Sequence, residues 1–235
     1  MIKRYLLIFI APIMLFAQTY MAKIEPYDSF TIYSQAAGQI VKLDKNDETK
    51  VVNKTLIALD TKLEKEELAI YNKQLALYLK KYKILENSYN KYIKIKGKSQ
   101  SDKDDKLYEL IELKITIESL RLNIKTLEDT LRKKVVDVKN LYIKEFNVNL
   151  GDYVSIGTSM ATAYDISKSK LIVYVSADDY EDIANKKVLV NGKEGIATIE
   201  KIDKTLDDTF VSAHKVTLIL RDDNFGKIVK VEFVK

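Results

Sequence analysis

The 235-residue chain has no cysteine, no tryptophan, one histidine and two prolines. Without cysteine there is no disulfide framework and no thiolate metal site. His214 is the only imidazole, so metal, triad and acid–base schemes built on histidine have almost nothing to work with. Charge of one sign is lacking too. The formal net charge of +5 falls to +3 without Lys3 and Arg4, and the excess is spread evenly, which is no nucleic-acid footprint. Phosphate-loop, nucleophile-elbow and metalloprotease motifs are absent, so neither enzymatic activity nor a cofactor is expected. No apolar run is long enough to span a bilayer. The uncharged stretch Tyr5 to Ala17 has 13 residues, against the roughly 20 a spanning helix needs. It follows Met1-Ile-Lys-Arg4 and ends on a small residue, so residues 1–17 read as a secretory signal peptide, with an uncleaved anchor as the alternative. No cysteine follows for a lipid anchor. The expected mature protein begins near Gln18 and is exported, in a bacterium to the periplasm.

What is present falls into three zones. From Phe30 to Asp60 the chain is rich in β-branched and small residues with turn clusters such as Asp44-Lys-Asn-Asp47, and reads as short strands. Residues 61–138 hold no proline and a single glycine, Gly97. From Leu141 onward Val, Ile and Thr alternate with polar residues between glycines. In the middle zone Leu68, Tyr71, Leu75, Tyr78, Tyr82, Leu85, Tyr89 and Tyr92 are spaced alternately by three and four, an unbroken heptad seam. Leu110, Leu113, Ile117, Leu120, Ile124, Leu127, Leu131, Val138 and Leu141 repeat the rule, with Lys134 as a polar intruder. Between the seams lies the polar, glycine-containing stretch Lys96 to Asp105, and folding the chain about Gln100 brings the seams face to face. An antiparallel coiled-coil hairpin follows. Its outer residues, such as Lys80, Lys81, Lys83 and Glu86, stay wet.

The flanks carry paired motifs. After the hairpin comes Gly151-Asp152-x-Val154-x-x-Gly157-x-x-Met160, with the glycines at turns and Val154 and Met160 pointing inward. Before it, Gly38-Gln-Ile-Val41, Asp47 to Val51 and Asn53 to Asp60 echo that pattern. Asn53 stands where the second copy has Gly157, at a position wanting positive φ, and Leu56 stands where it has Met160. Val51 sits one position late relative to Val154.

Two half-motifs around a helical hairpin resemble the periplasmic adaptor (membrane fusion protein, HlyD-like) family of tripartite efflux pumps. The likeness implies an elongated α+β protein. Residues 30–60 and 139–166 would form the two halves of a lipoyl-like β-sandwich, 61–138 the inserted antiparallel coiled-coil α-hairpin, and 167–235 a β-barrel. Leu171 to Ile183 would lead into the barrel, with Gly195 to Asp203 and Val211 to Leu220 as strands. The implied partners are an inner-membrane transporter, a TolC-like outer-membrane channel and further copies of the chain packed into a sheath. The hairpin tip, Lys96, Gly97, Lys98, Ser99, Gln100, Ser101, Asp102 and Lys103, would dock the channel. No arginine lies between Arg4 and Arg121, so the family's Arg/Leu/Ser tip signature is missing. The chain stops at Lys235, and Gln18 to Ser29 is too short for half of a membrane-proximal domain, which favours a small resistance–nodulation–division (RND) type adaptor over a partner of an ATP-driven exporter. A periplasmic coiled-coil scaffold without transport is the rival.

Sharper readings give way to plainer ones. Lys62 falls near the modified-lysine position of a lipoyl or biotin carrier, but some 75 residues of helix intervene and leave it at the hairpin base. Asp178, Asp179, Glu181 and Asp182 read as the start of a surface helix after Ser176 rather than a cation site. His214 reads as an ordinary strand residue. Met21 and Met160 alone would survive cleavage, too few for a soft-metal relay.

Overall fold

The computed structural model describes residues 18–221 and 225–234. The signal-peptide expectation, residues 1–17, lies outside them. Before the hairpin come β1 (Gln18–Tyr33), β2 (Gly38–Leu43), β3 (Lys50–Val52) and β4 (Thr55–Leu59). The hairpin is α1 (Lys62–Tyr92) and α2 (Gln100–Lys133). It is followed by β5 (Val135–Asp137), β6 (Leu141–Phe146), β7 (Tyr153–Val154) and β8 (Ser159–Ser176). Then α3 (Ala177–Ile183) leads to β9 (Lys187–Val190), β10 (Lys193–Glu194), β11 (Ala197–Leu206), β12 (Ala213–Leu220) and β13 (Ile228–Val234). The chain divides into two compact units. One spans Phe30–Ala163; the other joins the described residues up to Ser29 with those from Tyr164 onward.

The first unit holds the hairpin and a β-core built from both its flanks. Strands β5-β4-β2-β7 form one antiparallel sheet, and β3 pairs β6, which pairs β8. Ile40, Leu56, Ile57, Leu59, Ile143, Val154 and Met160 fill the shared core. The two halves interlock through their turns. Gly38 sits opposite Val154 in the β2–β7 pair, Gly151 N donates to Ile40 O (2.9 Å) and Gly157 N donates to Ser34 O (2.8 Å). Neither half can bury its apolar face alone, so the insertion of the hairpin leaves one domain, not two.

In the hairpin every α1 seam residue from Leu68 to Tyr92 is half-buried while its neighbours at other positions are mostly exposed, and α2 buries Leu110, Leu113, Ile117, Leu120 and Ile124. Five of the eight α1 seam positions are tyrosines, whose rings pack while their hydroxyls reach water. Tyr71 is hydrogen-bonded to Glu67, and that bond with the carboxylate charge raises its pKa. Two expectations need correction. The helix ends at Lys133, so the boundary at 138 moves back: Val138 and Leu141 continue the spacing but pack on the β-core, because β5 has already begun. The reversal, residues 93–99, is centred on Lys96 rather than Gln100, which is already helical.

The second unit is a curled sheet in the order β10-β9-β13-β1-β8-β12-β11, with β11 returning to within 8 Å of β9. Its core follows strict alternation: Ala22 and Ile24 on β1, Leu171, Val173 and Val175 on β8, Val216, Leu218 and Leu220 on β12, Val229, Val231 and Phe233 on β13. Here too the sequence reading is amended. The stretch Gln18–Ser29, to which the sequence assigns no element, lies in β1, which pairs β13 from Gln18↔Phe233 to Lys23↔Ile228. Val211 lies in the β11–β12 turn and is exposed, so the strand starts at Ala213. The acidic cluster does form α3, with Ser176 at its N-cap and its hydroxyl on Asp179. His214 is buried, stacks on Tyr180 (3.9 Å between centroids), and its Nδ1 lies 3.1 Å from Asp203 O.

Candidate docking surfaces of the hairpin

At the tip, α1 gives way to tightened turns. Lys94 N donates to Lys91 O (3.2 Å) and Ile95 N to Tyr92 O (3.1 Å), three-residue bonds that narrow the last coil before the reversal. Gly97 has φ 86° with nothing within 4 Å of where a Cβ would stand. A side chain there would suffer backbone strain rather than collision. Ser99 caps α2, its hydroxyl accepting from Asp102 N (3.1 Å), and Gln100 Nε2 donates to Asp104 Oδ1 (2.7 Å). The Lys98 ammonium sits over the Tyr92 ring, 5.2 Å from its centroid. Lys96 to Asp102 are exposed and Lys103 is half-buried. The tip therefore presents Lys96 and Lys98 on the α1 side and Asp102, Asp104 and Asp105 interleaved with Lys103 on the α2 side, with no buried polar group and no nucleophile–base pair among them.

At the base stands the residue that sequence reasoning set aside. Lys134 is 6% exposed. Its ammonium donates to Asp60 O (2.8 Å) and pairs with Glu64, while its own carbonyl accepts from Leu59 N (2.9 Å). It thus ties β4, the start of α1 and the end of α2 together. Desolvation alone would raise the Glu64 pKa, but the Lys134 hydrogen bond, a backbone bond and the ammonium charge outweigh it, so the carboxyl is held below its ordinary value. A lysine in an otherwise apolar heptad was the available signal: such an intruder needs a partner, and Glu64 is opposite. Asp60 turns the chain into α1 by accepting from Lys62 N (3.0 Å), and Lys62 itself is exposed.

The half-motif residues converge. Leu56, Val154 and Met160 meet in one core, and Asp152 braces its turn by accepting from Asn149 N (2.8 Å). Asn53 is the correction. Among the described residues the non-glycine positions of positive φ are Thr49, Asn140 and Asn191, not Asn53. The side chain of Asn53 instead accepts from Asn140 N (2.6 Å), bracing a left-handed residue from outside. Thr49 (φ 60°) stands three residues before buried Val52, as Gly151 (φ 93°) stands three before buried Val154. The repeat therefore aligns on Val52, and Val51 is exposed. The turn after Val52 is two residues shorter than the one after Val154, so Gly157 has no counterpart.

Among the described residues, no cluster of three or more His, Cys, Asp or Glu could hold a metal ion, and no helix is long and apolar enough to cross a membrane. No protein-family model and no curated protein matches the chain. Solved structures do. The membrane fusion protein Spr0693 from Streptococcus pneumoniae R6 superposes with a TM-score of 0.67 at 10% identity, over 93% of this chain and 99% of that one. A proposed efflux transporter from Bacteroides eggerthii DSM 20697 gives 0.60 at 14%, over 92% and 68%. ZneB from Cupriavidus metallidurans gives 0.53 at 15%, over 92% and 98%. The chain shares their fold.

Proposed function

We propose that this chain, with the fold of membrane fusion and periplasmic adaptor proteins, is itself a periplasmic adaptor of a tripartite efflux pump. It would bridge an inner-membrane transporter to a TolC-like outer-membrane channel for the export of drugs or other small molecules. The observation that carries the reading is a two-helix hairpin inserted between the halves of one β-core, with an exposed polar tip and no catalytic grouping. The split core serves as the lipoyl-like domain, the curled sheet as the barrel that meets the transporter, and several copies assemble per pump, associated with the inner membrane through their partners. An RND-type transporter is the partner to test first.

The test is replacement of Ser99-Gln100-Ser101 by three aspartates. Aspartate caps a helix as well as serine does, and negative charge suits a helix N-terminus, so α2 keeps its start. The variant is expected to be exported and to melt like the parent while cells become sensitive to pump substrates. Undiminished resistance would favour the scaffold reading.

A further inference from the structure

Counted by element, the positive excess is concentrated rather than even, which amends the sequence reading. From Leu68 to Ser101 there are eight lysines and one acid, Glu86, a surplus of seven in a chain whose net charge is +5. All eight are exposed, and none makes an ion pair among the described residues. Burial and Glu86, by its charge and a hydrogen bond, raise the pKa of Tyr82, so the one carboxylate of the stretch is already engaged. Helix α2 is built otherwise. Its acids and bases are mixed, and Lys106 pairs with Glu109, Arg121 with Glu118, and Arg132 and Lys133 with Asp129. A solvated face needs charge but not charge of one sign. Lys80 and Lys83, like Lys91 and Lys94, stand three residues apart, where like charges weaken a helix.

With the seam at heptad positions a and d, Lys73 and Lys80 fall at f, turned away from α2, and Asn87 and then Lys94 continue the row. Lys83 at b and Lys91 at c flank it. From Lys73 to Lys94 the row runs about 30 Å at 1.5 Å per residue. Lys81, at g, lines a cleft with Glu109 and Glu112 instead. Beside the row, at c, lie exposed Ile70, Leu77 and Ile84. The chemistry of this face selects what can cover it. Lysine is depleted in protein–protein interfaces, and its long stem loses much rotamer entropy against a rigid partner. A membrane takes up a helix by a continuous apolar face, and that of α1 is its seam, already covered by α2. A flexible polyanion asks for neither: it follows a row of charges and gains by releasing counterions. If its units are sugars, their C–H faces can also lie on the apolar row.

We propose that the outward face of α1 binds a carboxylate-bearing glycan, the peptidoglycan of the cell wall that shares the periplasm with an exported protein. Lys73, Lys80, Lys83, Lys91 and Lys94 meet its carboxylates, and Ile70, Leu77 and Ile84 its ring faces. The hairpin is thereby anchored to the wall while its tip stays free for a partner. This goes beyond the adaptor reading and shares with it only the periplasmic location.

The test uses the purified mature chain and isolated peptidoglycan sacculi with no pump component, so it fails or succeeds independently of channel docking. Binding is followed by co-sedimentation. The parent is expected to be retained at about 50 mM salt and to lose affinity about tenfold or more by about 200 mM. Lys73→Gln with Lys80→Gln is expected to weaken binding about tenfold. Lys114→Gln with Lys125→Gln removes the same charge from exposed positions of α2 and should leave binding within about twofold. Glutamine keeps the helix propensity of lysine, so both variants should melt like the parent. Sacculi whose carboxylates have been converted to amides should retain nothing. A parent that stays in solution at low salt would overturn the proposal and leave the face to an acidic protein. Equal losses from the two pairs of substitutions, or retention on amidated sacculi, would overturn it as well. Stronger retention on phosphatidylglycerol vesicles than on sacculi would overturn it in favour of a lipid surface.

Discussion

Lys134 shows how one side chain can fix a junction. Its ammonium is buried where α1 begins and α2 ends, and it is satisfied by a carbonyl and a carboxylate supplied from seventy or more residues away. Removing one partner of a buried pair leaves the other charge exposed to a poor solvent, which costs more than the pair is worth. Glu64→Gln is therefore expected to lower stability by about 1 kcal/mol at neutral pH. The folded-state pKa of Glu64 is depressed, so its contribution is present above the ordinary carboxylate range, about 4.3, and is lost as pH falls through the folded value. Thermal melts of parent and variant should accordingly converge in acid; a gap that persists or widens there would contradict the pairing. Gly157 works through the backbone instead. Its φ is 84° and open space surrounds it, so Gly157→Val pays strain without collision, about 1–2 kcal/mol. The melt of the β-core should drop while the helical signal of the hairpin persists, and coincident melts would refute the turn assignment.

At the scale of elements, the hairpin was the most legible part because its evidence is local. Alternating three- and four-residue spacings mark the seam whatever the rest of the chain does, and every α1 seam residue is shielded as that spacing requires. Its ends were less legible. Val138 and Leu141 fall on the same spacing by coincidence, and only the β4–β5 pairing, which spans some eighty residues, ends the helix at Lys133. Strand β1 was missed for the same reason: its partner β13 is more than two hundred residues away, and a few alternating residues such as Tyr20, Ala22 and Ile24 are a weak signal alone. The first half-motif misaligned because Thr49, a residue with a Cβ, takes the left-handed turn that glycine takes in the second. The division of labour between the hairpin's two faces gives a sharp test. Ile117 is in the seam and nearly fully buried, Ile115 is exposed on the outer face. Ile117→Ala should cost about 2–4 kcal/mol in denaturant unfolding followed by the helical signal, whereas Ile115→Ala should stay within about 0.5 kcal/mol. Equal effects would mean that the seam is drawn on the wrong face.

For the whole molecule, the sequence order β, long α, β becomes two compact units, each with a core of its own, and one of them holds out a hairpin. Helix α1 alone runs about 46 Å at 1.5 Å per residue. The residues at the tip make local turn and cap contacts, so beyond Gly97 at its turn and Ser99 at its cap the fold places little demand on their identity. The proposed adaptor function would supply the demand, with the tip as the place where the chain meets a partner. The chain has no cysteine, so a single thiol can be placed there without background. The most direct measurement is site-specific cross-linking in cells from Ser99→Cys. The account predicts adducts with an outer-membrane channel protein and none with the inner-membrane transporter; adducts with the transporter alone, in cells that keep full resistance when the tip is replaced, would contradict it.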